Sequence, residues 1–155
     1  MSASRVMAEE RLIENPNFDY IQNRVKIDRF TGGAYDTALF TEQPVFANDD
    51  TLITVNLELR LPAANDDDKY KLMIDAQAGL LMLVLKDLWT EDLPLGGESS
   101  VGRGRLRGNT ACVELKTDVK YPKIKLNKSG LEDATQGEIL QEKVDALWKY
   151  LGGEA

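Results

Sequence analysis

Ile53, Val55, Leu57, Leu59 and Leu61 alternate with Thr54, Asn56, Glu58 and Arg60, the period of two that a half-buried strand requires, and Pro62 ends the run. A polar stretch, Ala63 to Asp68, follows, with aspartates placed to cap a helix at the positive end of its dipole. Tyr70, Met73, Ile74, Gln77, Leu81, Val84, Leu85 and Leu88 then recur near 3.6 residues, and Leu80 and Leu83 widen the apolar face, so this helix should be largely buried. Ala111, Val113 and Leu115 alternate with Cys112, Glu114 and Lys116 as a second strand. Ile139, Leu140, Val144, Leu147, Trp148 and Leu151 trace an amphipathic helix that Gly152-Gly153 stops. Upstream, Val25 to Asp28 reads as a short strand entering the Thr31-Gly32-Gly33 turn. Residues 1–17, which mix charges with Asn15-Pro16-Asn17, read as a flexible lead. The order strand, helix, glycine loop, strand is compatible with an α+β sandwich of the ferredoxin or RRM kind, although periodicity alone does not demand it.

Composition narrows the class. The 155 residues, 43% hydrophobic and 29% charged, suffice for one domain with a core. Cys112 is the single cysteine, which excludes an internal disulfide. No signal-like apolar stretch opens the chain, and the longest apolar run, Leu80 to Leu85, is far short of the ~18 residues that span a bilayer. The expectation is a cytoplasmic protein with no membrane partner. A net charge of −7 and a pI near 4.7 oppose nonspecific attraction to nucleic acid. The charge is unevenly spread, however: Arg103, Arg105, Arg107, Lys116, Lys120, Lys123, Lys125 and Lys128 face only Glu114 and Asp118 in the same tract.

The chemistry-bearing stretch is Leu95-Gly-Gly-Glu-Ser-Ser-Val-Gly-Arg-Gly-Arg105. Its glycines let a backbone turn sharply and expose N–H groups, the geometry that cradles phosphate oxygens, and two arginines close it with positive charge. It lacks the Gly-Lys-Ser/Thr of a nucleotide-hydrolysing loop, and a strand rather than a helix follows, unlike a dinucleotide fingerprint. The bland alternative is a tight helix-to-strand connection. Catalytic chemistry has little to stand on. There is no histidine, Cys112 has no histidine partner, and Asp28, Asp36 and Glu42 are scattered turn carboxylates more simply than ligands of a divalent ion. Asp66-Asp67-Asp68 lacks the spacing of a calcium loop. No catalytic residue, metal site, cofactor or small-molecule substrate is assigned.

A second segment, Val25 to Glu42, carries Ile27-Asp-Arg-Phe-Thr-Gly32, then Leu39-Phe40 and Glu42, about 65 residues ahead of the glycine loop. The two motifs, in this order, resemble the RAMP superfamily of type III CRISPR-Cas systems, in particular the backbone subunit that holds the guide RNA, over roughly residues 24 to 116. The resemblance implies an α+β, RRM/ferredoxin-like RAMP palm, here its C-terminal part, with a thumb-like hairpin and a glycine-rich loop. Residues 1–23 would be the lead and 24–155 a partial RAMP domain, with the hairpin at 24–46, the loop at 95–105 and the last helix at 136–151. Family members carry an upstream strand and helix and an aspartate implicated in target-RNA cutting, neither of which has a counterpart here.

By match to the family, Gly96, Gly97, Ser99, Ser100, Gly102, Arg103, Gly104 and Arg105 become RNA contacts. Backbone N–H groups and hydroxyls would bond phosphates without reading bases. Phe30, Thr31 and Tyr35, with Leu39 beside them, would wedge between guide and target bases; a core-anchoring role for Phe30, Leu39 and Phe40 is the alternative. The implied partners are guide RNA, target RNA and other CRISPR effector subunits. Two other functions stay open: a target-RNA endonuclease subunit whose catalytic part lies outside this chain, and a non-catalytic subunit-interaction module.

Overall fold

The computed structural model describes residues 4–62, 67–114, 123–133 and 135–152. Leu115, Lys116, Asp118, Lys120, Asp66 and Gly153, on which parts of the sequence reading rest, lie outside them. The chain is α+β, with small antiparallel sheets and two helices, consistent with a ferredoxin-like arrangement. It divides into two compact units, Met1–Arg60 and Leu61–Ala155.

The first unit contains β1 (Val6–Ala8), β2 (Gln22–Ile27), β3 (Ala34–Glu42) and β4 (Leu57–Leu59). β1 pairs with β4, placing Val6 opposite Leu59 and Ala8 opposite Leu57. The Glu9 N–H continues the ladder to the Asn56 carbonyl at 3.1 Å, and isolated bridges join Glu14 to Leu52 and Asn17 to Phe46. β2 and β3 close the series, from Gln22 opposite Glu42 to Ile27 opposite Ala34. Every pairing nests inside the previous one, so the unit is a single long, interrupted hairpin folded about Asp28–Gly33.

Two expectations change here. The supposed flexible lead supplies β1 and one partner of each of these two bridges, because its backbone finds hydrogen-bonding groups roughly thirty to fifty residues away that no local pattern advertises. The alternating strand at 53–61 shrinks to Leu57–Leu59, since its partner β1 is itself only three residues long. Ile53 and Val55 remain exposed.

The second unit opens with α1 (Asp68–Trp89), whose N-cap Asp67 accepts a hydrogen bond from the Lys69 N–H at 3.0 Å, as the aspartate run predicts. β5 (Ala111–Val113), β6 (Ile124–Asn127) and β7 (Gly130–Leu131) form one antiparallel sheet in that order. α2 (Thr135–Tyr150) ends where Gly152 turns to φ +83°. The β6–β7 pair is absent from the sequence reading. Its turn is set by the Asn127 Oδ1, which accepts from the Ser129 N–H at 2.8 Å, and by Gly130 at φ +119°.

α1 packs on α2 through small residues. A Cβ on Gly79 would lie 2.1 Å from the Lys143 carbonyl oxygen, and Ala76 and Ala78 are buried nearby in sequence. The buried Lys143 ammonium pairs with Asp75 at 2.9 Å. Its pKa feels burial, which pulls it down, but the hydrogen bonds and charges of Asp75 and Glu142 outweigh this and the net direction is up. Ile124 on β6 is wholly enclosed. The expectation that α1 is largely buried holds only for Ala76, Ala78 and Gly79. Its larger apolar side chains are only part-buried and Leu80 is exposed, because the helices approach closely where side chains are small. No helix among the described residues is long and apolar enough to cross a membrane.

Candidate nucleic-acid interface

The glycine-rich loop leaves α1 at Trp89 and returns toward β5 through a doubly fastened neck. The Leu95 N–H donates to the Gly104 carbonyl at 2.9 Å, and the Gly108 N–H to the Trp89 carbonyl at 3.0 Å, beside a bridge between Thr90 and Arg107. Glycine is required at two neck positions for lack of room. A Cβ on Gly104, at φ +78°, would sit 2.0 Å from the Leu95 oxygen, and one on Gly108 would enter the Trp89 ring.

Beyond the neck the loop is open. Gly96 and Gly102 adopt φ +83°, and Gly96, Gly97 and Gly102 have no atom within 4 Å of where a Cβ would stand. A short 3-10 turn, Ser99–Val101, is held by the Val101 and Arg103 N–H groups donating to the Glu98 carbonyl, at 3.1 and 3.3 Å. The N–H groups of Gly96, Gly97, Ser99 and Ser100 donate to none of the described residues, and all four residues are exposed. These donors, with two adjacent hydroxyls, are what an anionic oxygen needs.

The arginines sit differently from the sequence picture of free positive charge. Arg103 Nη1 binds the Glu98 carboxylate, with side chains 24% and 33% accessible. The Arg105 guanidinium donates to the carbonyls of Glu91 at 2.5 Å and Asp92 at 3.1 Å, clasping the exit from α1. Arg107 Nε meets Glu91 Oε1 at 2.5 Å. Farther along, Lys123 pairs with Glu114 at 2.6 Å, and that hydrogen bond, then the carboxylate's charge, raises the lysine's pKa. Sequence reasoning missed Glu91, Asp92 and Glu98 as partners. For Glu98 the available signal was its place five positions before Arg103; Glu91 and Asp92 stand on the other side of the neck, 13 to 16 positions before the arginines they hold, and nothing local marks them.

The other predicted contacts lie in the first unit, at the hairpin tip. Asp28 Oδ1 accepts from the Phe30 N–H at 2.9 Å and the Asp28 carbonyl from the Gly32 N–H at 2.9 Å, while Thr31 Oγ1 accepts from the Gly33 N–H at 3.3 Å. Asp28 is thus engaged in the turn, and Gly32 supplies the left-handed residue at φ +69°. The turn leaves Phe30 99% exposed, which removes the core-anchoring alternative for this ring. Leu39 and Phe40 are exposed as well. Tyr35 lies under Lys26, whose ammonium is 5.1 Å from the ring centroid, so one face of that ring already holds a cation. The glycine-loop residues are gathered on one loop and Phe30, Thr31 and Tyr35 near one tip, each in its own unit. Among the described residues no three acidic, histidine or cysteine side chains gather as a metal site.

No curated protein and no solved structure matches the chain. The sequence model of the RAMP superfamily matches residues 10–107, a span that takes in the hairpin, α1 and the whole glycine-rich loop and exceeds half of the chain. The chain therefore belongs to the RAMP superfamily, and with it goes a CRISPR-associated, RNA-binding role in general.

Proposed function

We propose that this chain is a guide-RNA-binding backbone component of a type III CRISPR-Cas interference complex, cytoplasmic, gripping RNA phosphates with Gly96 to Arg105 and presenting residues 24–46 as a thumb-like wedge. The observation that carries this reading is the set of unclaimed donors at Gly96, Gly97, Ser99 and Ser100 on a loop whose neck is locked. Donors already fixed in place lose little entropy when an anion arrives, and phosphate oxygens present the same acceptors whatever the base. The bare ring of Phe30 supports the wedge. Stacking such a ring on an unpaired base is worth ~1–3 kcal/mol, which offsets a local unstacking cost.

The test is Gly97→Asp. The space around Gly97 is open and its φ is unstrained, so the substitution leaves the fold intact, while the new carboxylate stands among the donors. Binding to labelled single-stranded RNA should weaken about tenfold or more, equally for unrelated sequences, because one misplaced like charge costs more than 1.4 kcal/mol in a site of this kind. Unchanged affinity, or a loss confined to one sequence, refutes the loop as a phosphate grip.

A further inference from the structure

Glu98 is out of place by backbone criteria. It adopts φ +60°, ψ 30°, the left-handed conformation in which a residue with a side chain is strained and glycine is at ease, within a loop that uses glycine freely at Gly96, Gly102 and Gly104. What a glycine there would lack is the carboxylate, and that carboxylate binds Arg103 Nη1. Both side chains are about a quarter to a third accessible, so water and a passing anion can reach the pair. The neighbouring basic groups do not share this arrangement. Arg105 is committed to backbone carbonyls and Arg107 to Glu91 at the neck, whereas the Glu98–Arg103 pair lies inside the loop, within a few residues of the free donors of Ser99 and Ser100.

We infer that Glu98 is a specificity-determining residue of the RNA grip, an internal anion that occupies Arg103 until an RNA phosphate displaces it. The inference rests on the reading of the loop as a phosphate grip. Its chemistry is an exchange of one ion pair for another. A phosphate takes over Arg103, and the released carboxylate turns to solvent and gathers a cation. The contact therefore adds almost nothing to net counterion release and only a small gain in affinity. A lone phosphate contact is thereby disfavoured, and a backbone that also satisfies the donors at Gly96, Gly97, Ser99 and Ser100 is selected.

Two variants remove the internal anion. Glu98→Gln keeps the size of the side chain, and Glu98→Gly relieves the backbone strain as well, so the second keeps the test open if the first folds poorly. With labelled single-stranded RNA as probe, either should tighten binding roughly threefold to tenfold at low salt and steepen the fall of log affinity with log salt by about 0.7, the value of one added phosphate contact. Adding Arg103→Ala to either variant should abolish both gains. If Gly97→Asp weakens RNA binding while neither Glu98 variant changes affinity or slope, the grip stands and this inference falls. If Gly97→Asp leaves RNA binding unchanged, the grip itself falls. Loss of folding in both Glu98 variants makes the carboxylate a structural brace and overturns the inference too.

Discussion

Individual residues in the loop and at the hairpin tip divide into those that fit the fold and those that do not touch it. Gly104 and Gly97 differ in role, though both are glycines: one has a carbonyl oxygen 2.0 Å from its missing Cβ and a positive φ, the other has neither. Gly104→Ala should lower the melting temperature of the second unit by several degrees, since overpacking costs ~1–3 kcal/mol and left-handed strain adds to it. Gly97→Ala should leave it within error. Equal melts for the two would show that the neck is not formed in solution. Phe30→Ala belongs to the opposite class. Because the ring is almost fully exposed, its removal should change stability by less than ~0.5 kcal/mol, against ~3–5 kcal/mol for a buried phenylalanine. The same substitution should alter the chemical-probing pattern of a bound guide–target duplex. A large drop in melting temperature with unchanged probing would put the ring in a core.

The decisive contact between elements is the crossing of α1 and α2. Alanine is the better helix former, yet Gly79→Ala should destabilise the helix pair. The ~0.5–1 kcal/mol gained in the helix is outweighed by a methyl group driven into the Lys143 carbonyl. Helical circular dichroism during thermal unfolding checks the sign. The Lys143–Asp75 pair adds a pH signature. The folded-state pKa of Lys143 lies above its ordinary 10.5, so its stabilisation is complete below that value and disappears as pH rises through the raised one. Helix stability should fall more steeply above pH 10.5 in the native chain than in Lys143→Met. Identical profiles would show that the pair contributes nothing. Legibility also varied by element. α1, α2 and the β2–β3 hairpin were readable because caps, periodicity and turn residues lie within a few positions of what they govern. β1 and β6–β7 were not: β1 is an apolar run of only three residues, and β6 and β7, of four and two residues, are too short for the alternation of Ile124 and Leu126 with Lys125 and Asn127 to stand out as a period.

At the scale of the whole molecule, a net charge of −7 must be reconciled with a polyanionic ligand. Much of the basic charge near the loop is matched locally by Glu91, Glu98 and Glu114, so long-range attraction is weak, and binding has to come from short-range donors. Replacing Asp49 and Asp50 with Asn, two exposed carboxylates of the first unit, should speed association with RNA roughly twofold at low salt. The gain should vanish near 0.15 M, where screening sets in within about 8 Å. Stopped-flow fluorescence at two salt concentrations measures this, and a gain that persists at high salt would mean direct contact instead. The sequence by itself determined the α+β class, the helices, the hairpin turn and the two ordered motifs that carry the RAMP resemblance, since each follows from interactions among near neighbours. Only the tertiary structure decided that residues 4–17 pair with 46–60, which glycines are packed and which are open, and which carboxylate or carbonyl group holds each loop arginine. Those outcomes depend on groups brought together from distant parts of the chain or aimed by the backbone, and hydrophobic pattern does not record where a polar side chain will point.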